Sequence, residues 1–455
     1  MMNRCATRTL VDDPRQGSEP GMPIWNAEYE TMPREQLAAL QLRRLQSTVA
    51  WVYERVPHYR QELDARALKP RDIRSLEDVR LLPFTDKTAL RDTYPYGMFA
   101  VDLEQVVRVH SSSGTTGKPI VVGYTKGDLN TWTELTARIA SAAGVTAHDR
   151  VQMLFLYGMF TGGWGMHYGI ERVGATVFPA GSGNTERQLM MMQDFGTTVI
   201  VGTPSYALYI AEVAEKTGID MRALPLRLGL FGGEPSGEGM REEIEQRLGI
   251  LATDNYGLSE VMGPGVSGEC EHQCGLHMAE DHFLFELVDP VTGEPVPEGG
   301  EGELIITPLT KEAFPVLRYR THDLTTIDTG VCACGRTMAR MRKVRKRTDD
   351  MLIIRGVNVF PSQIEDALLA VEGVEPHYLI VVDRDGAMDT LEVRIEVSPA
   401  IFSDVMRNMV AFNKQVGEKI ASVVGLQAKI TLVEPGTIER TVGKARHVVD
   451  NRTQF

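Results

Sequence analysis

Between Val106 and Thr307 short apolar runs alternate with stretches of helical spacing, and this alternation limits the fold more than any other feature of the chain. Val151-Gln152-Met153-Leu154-Phe155, Ala175-Thr176-Val177-Phe178, Thr198-Val199-Ile200-Val201 and Leu228-Gly229-Leu230-Phe231 are such runs. The pattern predicts crossover units and a largely parallel sheet buried on both faces, with ligands at the loops that follow the strands. Phe283–Val288 and Glu303–Ile306 read as further strands of a small β subdomain, with turns at Asp289-Pro290 and Glu298-Gly299-Gly300. Upstream, Leu37, Leu40, Leu45, Val49, Val52 and Val56 approximate one face of an amphipathic helix opened by Pro33, which predicts an accessory packing layer. The charged run Arg342–Asp350 interrupts the pattern and reads as an exposed linker. Beyond it a helix from about Ser362, strands at Tyr378–Val382 and Leu391–Val397, a helix over about Ser403–Val423 and a strand at Ile430–Val433 give the order αββαβ. The predicted fold class is therefore α/β: a large N-terminal domain over 1–345 with mostly parallel sheets and a β subdomain, and a small α+β domain over 346–455.

A chain of 455 residues is long enough for two or three cores, and 43% hydrophobic with 24% charged residues is globular usage. No segment has the length of a membrane span, and Met1–Gly17 lacks the apolar core of a secretory signal, so a cytoplasmic location is the default. A net charge of −13 argues against nucleic acid or an anionic membrane as the main partner. The cysteines are odd in number, and four of them gather near two histidines: Cys270, His272, Cys274 and His277, then Cys332 and Cys334. That set fits a tetrahedral structural Zn²⁺ site better than a disulfide framework, with free buried thiols as the alternative.

One loop carries chemistry. Ser111-Ser112-Ser113-Gly114-Thr115-Thr116-Gly117-Lys118-Pro119 concentrates hydroxyls and unencumbered backbone N–H groups, as a polyphosphate requires. It is not a P-loop, because Gly114 stands three positions before Gly117 and Pro119 replaces the Ser/Thr that would hold Mg²⁺. Strand-like flanks on both sides make it a connection between strands.

Taken with Asn255-Tyr256-Gly257-Leu258-Ser259-Glu260, Tyr319-Arg320-Thr321-His322-Asp323-Leu324 and Ile354-Arg355-Gly356-Val357-Asn358-Val359-Phe360-Pro361, this loop makes the chain resemble phenylacetate-coenzyme A ligases of the adenylate-forming superfamily. The resemblance runs from about Trp25 to the C-terminus. It implies an AMP-forming acid–thiol ligase using ATP, Mg²⁺ and coenzyme A: a carboxylate attacks the α-phosphate, and the thiol then displaces AMP. By the same resemblance Ser112, Ser113, Gly114, Thr115, Thr116, Gly117 and Lys118 hold the phosphates, and Glu260 ligates Mg²⁺. Tyr256 lies near the adenine with Asn255, while Gly232, Gly233, Glu234 and Pro235 run along the nucleotide. Asp323 accepts the ribose hydroxyls with help from Arg347. Lys444 is the mobile lysine, here after Thr441-Val442 where Ser-Glu is more usual, and Asp349 is the hinge of a mobile C-terminal domain. The resemblance also selects Cys270, His277, Cys332 and Cys334 as the zinc ligands.

The acid pocket is implied at Tyr157, Phe160, Ser236, Asn255 and Gly257, whose aromatic and glycine walls suit a flat ring. Ser236 stands where tryptophan is common and Asn255 where an apolar residue is frequent. Those departures admit a substituted benzoate such as anthranilate beside phenylacetate, with Asn255 bonding the ring substituent. An enzyme that loads the acyl group onto a carrier protein is the alternative function, a nucleotide-binding regulator that has lost catalysis is a further one, and a homodimer is left open.

Overall fold

The computed structural model describes residues 24–111, 119–344, 346–355, 357–385, 388–397, 406–439 and 447–452. Its largest sheet has nine strands in the order Ile327–Asp328, Arg340–Met341, Leu276–Met278, Gly263–Glu269, Leu251–Leu258, Leu228–Gly232, Val199–Gly202, Arg150–Met153 and Thr176–Phe178. From Leu251–Leu258 to Thr176–Phe178 every pairing is parallel, as the apolar runs predict. The other half of the sheet is antiparallel.

That antiparallel half escapes a reading by apolar runs. Gly263–Glu269, with sequence Gly-Pro-Gly-Val-Ser-Gly-Glu, is buried at every position although glycine and proline are poor strand formers. The reason lies in the helix Lys126–Ala143, which packs directly on this strand. A Cβ on Gly263 would lie 2.5 Å from the Trp132 ring, one on Gly265 3.0 Å from Leu135, and one on Gly268 2.7 Å from Ile139. The indole N–H of Trp132 donates to the Pro264 carbonyl at 2.7 Å. Side chains supplied by the helix fill the space that the strand leaves empty.

A second sheet is antiparallel throughout: Phe283–Val288, Gly302–Pro308, Tyr319–Thr325 and Lys346–Arg347. The helix Arg34–Arg55 covers it, and Leu45, Val49, Val52 and Val56 share one core with Phe283, Leu304, Ile306 and Tyr319. Burying each such leucine contributes about 2 kcal/mol. Leu40 is only half-buried; Gln41 is buried in the helix instead, and its amide donates to the Glu280 carbonyl at 2.8 Å.

After the linker a hairpin, Leu352–Ile354 with Val357–Val359, precedes the helix Pro361–Leu369. A four-stranded sheet follows in the order Lys429–Val433, Met388–Val397, Val374–Asp385 and Val448–Asp450, packed by Met406–Val424. The order αββαβ is present, with the hairpin and the last strand added to it. Ile364, Leu368, Ile380, Val393, Val416 and Ile420 belong to a core of this region's own. The linker itself corrects the expectation of an exposed charged run. Lys346–Arg347 pairs with Tyr319–Thr325, and only 21% of the Arg347 side chain is exposed.

Gly263 has φ of +113° in addition to its contact with Trp132. Gly263→Ala is therefore expected to cost about 1–3 kcal/mol, from overpacking plus left-handed strain. The shift of the urea unfolding midpoint measures it.

Candidate active site

The strand Arg108–Ser111 pairs antiparallel with Val121–Tyr124, so the phosphate-loop segment does connect two strands. Ser112, Ser113, Gly114, Thr115, Thr116, Gly117 and Lys118, and Lys444 with them, lie outside the described residues.

The other candidates converge where the parallel strands end. Gly232 closes the strand Leu228–Gly232, and a Cβ there would lie 2.4 Å from the Asn255 carbonyl oxygen of the next strand. Gly233 follows with φ of +86°, and the carboxylate of Glu234 accepts the Ser205 N–H at 2.7 Å. Pro235 is exposed and Ser236 buried. The Asn255 side chain is buried, and its amide N–H donates to the Phe231 carbonyl at 2.6 Å. Gly257 sits at a bulge where a Cβ would meet the Gly263 carbonyl oxygen at 1.9 Å, so no other residue fits. Glu260, in the turn after this strand, is buried beside the Tyr319 hydroxyl, whose pKa is driven well above that of a free phenol by burial and then by the Glu260 charge. That hydroxyl is itself buried without a partner.

The alternating burial along Tyr319–Thr325 puts Tyr319, Thr321 and Asp323 on one inward face. Asp323 holds the arrangement: one carboxylate oxygen accepts the Tyr256 hydroxyl at 2.5 Å, and the other accepts the Arg347 guanidinium. Burial raises the Asp323 pKa despite Arg347. Arg347 also donates to the Thr321 carbonyl at 3.1 Å and to both oxygens of Asp349 at 2.9 and 3.0 Å. Burial acts to raise the Asp349 pKa, but Arg347 and Lys87 together hold it down to about 2. Lys87, 3.2 Å from Asp349, carries no motif and was not legible in the sequence. Tyr319 was not singled out either, although its period-2 spacing from Asp323 is a signal that could have found it.

At the proposed acid side, the Tyr157 hydroxyl lies 2.9 Å from His167 Nδ1 and its ring meets Trp164 edge-on at 5.0 Å. Phe160 is exposed, with Leu156 and Met159 beside it in sequence also exposed. Away from these loops, one ligand atom from each of Cys270, His277, Cys332 and Cys334 falls within a sphere of contacts no wider than 4.8 Å. Cys270 Sγ lies 3.8 Å from Cys332 Sγ, and Cys334 Sγ 3.4 Å from His277 Nε2. Three thiols and an imidazole at this spacing suit a tetrahedral soft-metal site. In the segment Gly183–Gln188, Asn184 caps the helix Thr185–Phe195, and the Gln188 amide donates to the Gly181 carbonyl at 2.9 Å.

Polar groups thus gather at the ends of the parallel strands, backed by the buried Asp323 carboxylate of the β subdomain. Residues 31–308 match the AMP-binding enzyme family, and residues 356–452 match the AMP-binding enzyme C-terminal domain. The phenylacetate-coenzyme A ligase of Thermus thermophilus is 49% identical, over 94% of this chain and 100% of that one. A crystal structure of 2-hydroxyisobutyryl-CoA ligase in the postadenylation state, at 30% identity, superposes with a TM-score of 0.88 over 93% of this chain and 92% of that one. The same ligase in the thioesterification state, at 31% identity and the same coverage, gives a TM-score of 0.69. The chain belongs to the phenylacetate-coenzyme A ligase family, and its class is that of the AMP-forming acid–coenzyme A ligases. No helix among the described residues is long and apolar enough to cross a membrane.

Arg347→Met is expected to destabilise the protein by about 3 kcal/mol at pH 7, the low end for removing one partner of a buried pair. The folded-state pKa of Asp349 lies below its unfolded value, so its contribution is complete above about pH 4 and is lost as the pH falls through about 2. Chemical denaturation of wild type and variant from pH 7 to pH 2 should show the stability gap narrowing as the solution becomes acid.

Proposed function

We propose that this chain activates phenylacetate, forming phenylacetyl adenylate and then phenylacetyl-CoA. The observation that carries the reading is the 49% identity that spans the whole length of a phenylacetate ligase. The relatives' coenzyme A activity likewise favours free coenzyme A over a carrier protein as acceptor.

In this mechanism a carboxylate oxygen attacks the α-phosphorus, the bond to pyrophosphate breaks, and the thiol then adds to the acyl carbon with loss of AMP. Residues 112–118 take the β- and γ-phosphates, Gly232–Pro235 and Tyr256 the adenosine, and Asp323, held by Arg347, the ribose. Tyr157, Phe160, Ser236 and Gly257 line the acid. Glu260 is a hard oxygen donor, and the unpartnered Tyr319 hydroxyl beside it fits a polar ion site. Mg²⁺ held there would neutralise charge on the phosphates. Lys444 stabilises the pentacoordinate phosphate. The domain 346–455 then turns about Asp349 to exchange Lys444 for the Arg355-Gly356 face, and the better superposition on the postadenylation state supports assigning the present arrangement to the first half-reaction. Cys270, His277, Cys332 and Cys334 would hold a structural Zn²⁺ away from this chemistry.

The test is acid-dependent pyrophosphate exchange, followed by coenzyme A-dependent thioester formation. Phenylacetate should exceed anthranilate at least tenfold in kcat/KM, about the discrimination that one mismatched group provides; equal or better turnover of anthranilate rejects the substrate assignment. In the same assay Lys444→Ala should abolish exchange yet still pass a supplied phenylacetyl adenylate to coenzyme A, and equal loss of both halves would refute the role of Lys444. Protein purified without added zinc should carry about one equivalent by metal analysis. Chelation should lower its thermal midpoint, and Cys332→Ser should lose both the metal and that response.

A further inference from the structure

The Met159 carbonyl joins the segment Leu156–Phe160, assigned above to the acid, to the strand Arg108–Ser111 that leads into residues 112–118. The Met159 oxygen accepts the backbone N–H of Ser111 at 3.0 Å and lies 3.0 Å from His110 Nδ1. A carbonyl oxygen has two lone pairs, and here both are directed to the strand that enters residues 112–118. Because that oxygen can only accept, Nδ1 must carry the hydrogen. His110 is 2% exposed, and its Nε2 is buried without a partner. Burial keeps the ring below the usual histidine pKa, opposed by the bond to Met159, so the neutral Nδ1–H tautomer is the form that fits.

The ring is also fixed from behind. It meets Tyr124 and Trp132 edge-on at 5.5 and 5.7 Å. The Tyr124 hydroxyl donates to the Met262 carbonyl at 2.7 Å, just past Glu260, and Thr161, just past the acid loop, lies 3.0 Å from the Ser259 hydroxyl. His110 thus stands where three segments meet: the strand into the phosphate loop, the acid loop Leu156–Phe160, and the turn bearing Glu260. Hydrophobic packing alone would be served by phenylalanine. A histidine with one ring nitrogen bonded to the acid loop is needed only if that loop must be held in register.

We propose that His110 is a positioning residue that couples acid binding to ATP binding, by locking the Met159 carbonyl of the acid loop to the strand that carries the phosphate loop. The inference rests on the acid and phosphate assignments above. When phenylacetate binds against Leu156–Phe160, the shared carbonyl holds Ser111 and the acid segment together, and ATP binds more tightly; by linkage ATP does the same for the acid.

The experiment measures KM for ATP in pyrophosphate exchange at low and at saturating phenylacetate, for wild type, His110→Phe, His110→Asn and His110→Gln, with the thermal midpoint of each. Wild type should show a fall of about 5-fold or more in ATP KM as acid saturates. His110→Phe should abolish that dependence. His110→Asn, whose amide nitrogen can occupy the place of Nδ1, should restore most of it, whereas His110→Gln, which reaches toward the Nε2 position, should not. Coupling retained in His110→Phe, no coupling in wild type, or equal recovery by Asn and Gln would overturn the proposal. Unfolding of all three variants would assign His110 to the core and overturn it as well. Failure of wild type to exchange with any aryl acid would instead reject the substrate assignment, which separates the two results.

Discussion

The ion pair between Arg347 and Asp323 is the point on which the rest of the site depends. It lies on a register pairing of two strands, Lys346–Arg347 against Tyr319–Thr325, so the backbone ladder places the guanidinium opposite the carboxylate before any side chain is chosen. Burial makes the arrangement stringent, because an isolated charge at Asp323 would be costly and both of its oxygens must be satisfied. Tyr256 supplies the second bond and is thereby held in the strand Leu251–Leu258 of the other sheet. One carboxylate therefore ties the large sheet, the β subdomain and the linker together.

How much of this was legible depends on whether an element is defined by its own residues or by its neighbours. The parallel strands were legible because burial on both faces demands uninterrupted apolar side chains, and Val199–Gly202 and Leu228–Gly232 supply them locally. Gly263–Glu269 was not, since its apolar partners reside on a helix far upstream and its own contribution is the absence of side chains. The same holds at the linker. A run of lysine and arginine reads as solvated until the strand opposite Arg347 is known.

The candidate site divides in the same way. Tyr256 and Arg347 both bond Asp323, and Cys270, His277, Cys332 and Cys334 meet although Cys-x-Cys spacing alone leaves the set open. Asn255 has a part that only the fold reveals. Its departure from an apolar residue suggested recognition of a polar substituent, and in the fold one N–H of the buried amide goes to the neighbouring strand's carbonyl. A polar residue in a pocket-lining position carries specificity only if its hydrogen-bonding capacity is left over after the backbone has been served. His110 is the converse case, a residue outside every motif's catalytic positions whose bond crosses between loops.

The contacts along the linker weaken after Arg347. Arg347 is fixed by a ladder pairing and a buried carboxylate, and Thr348 still donates its N–H to the His322 carbonyl at 2.8 Å. The hairpin Leu352–Ile354 with Val357–Val359 begins the next rigid element. Between them stand Asp349, Asp350 and Met351. Asp349 is held by side-chain bonds to Arg347 and Lys87, its carboxylate and the Lys87 ammonium each about one-third exposed, and Asp350 is exposed. Exposed ion pairs are worth about 0–1 kcal/mol, so breaking them costs little, whereas bending one residue earlier would strip a buried charge. Asp349 is the first position after the buried pair at which the linker leaves the ladder, so the hinge that we propose there would break only the contacts to Arg347 and Lys87.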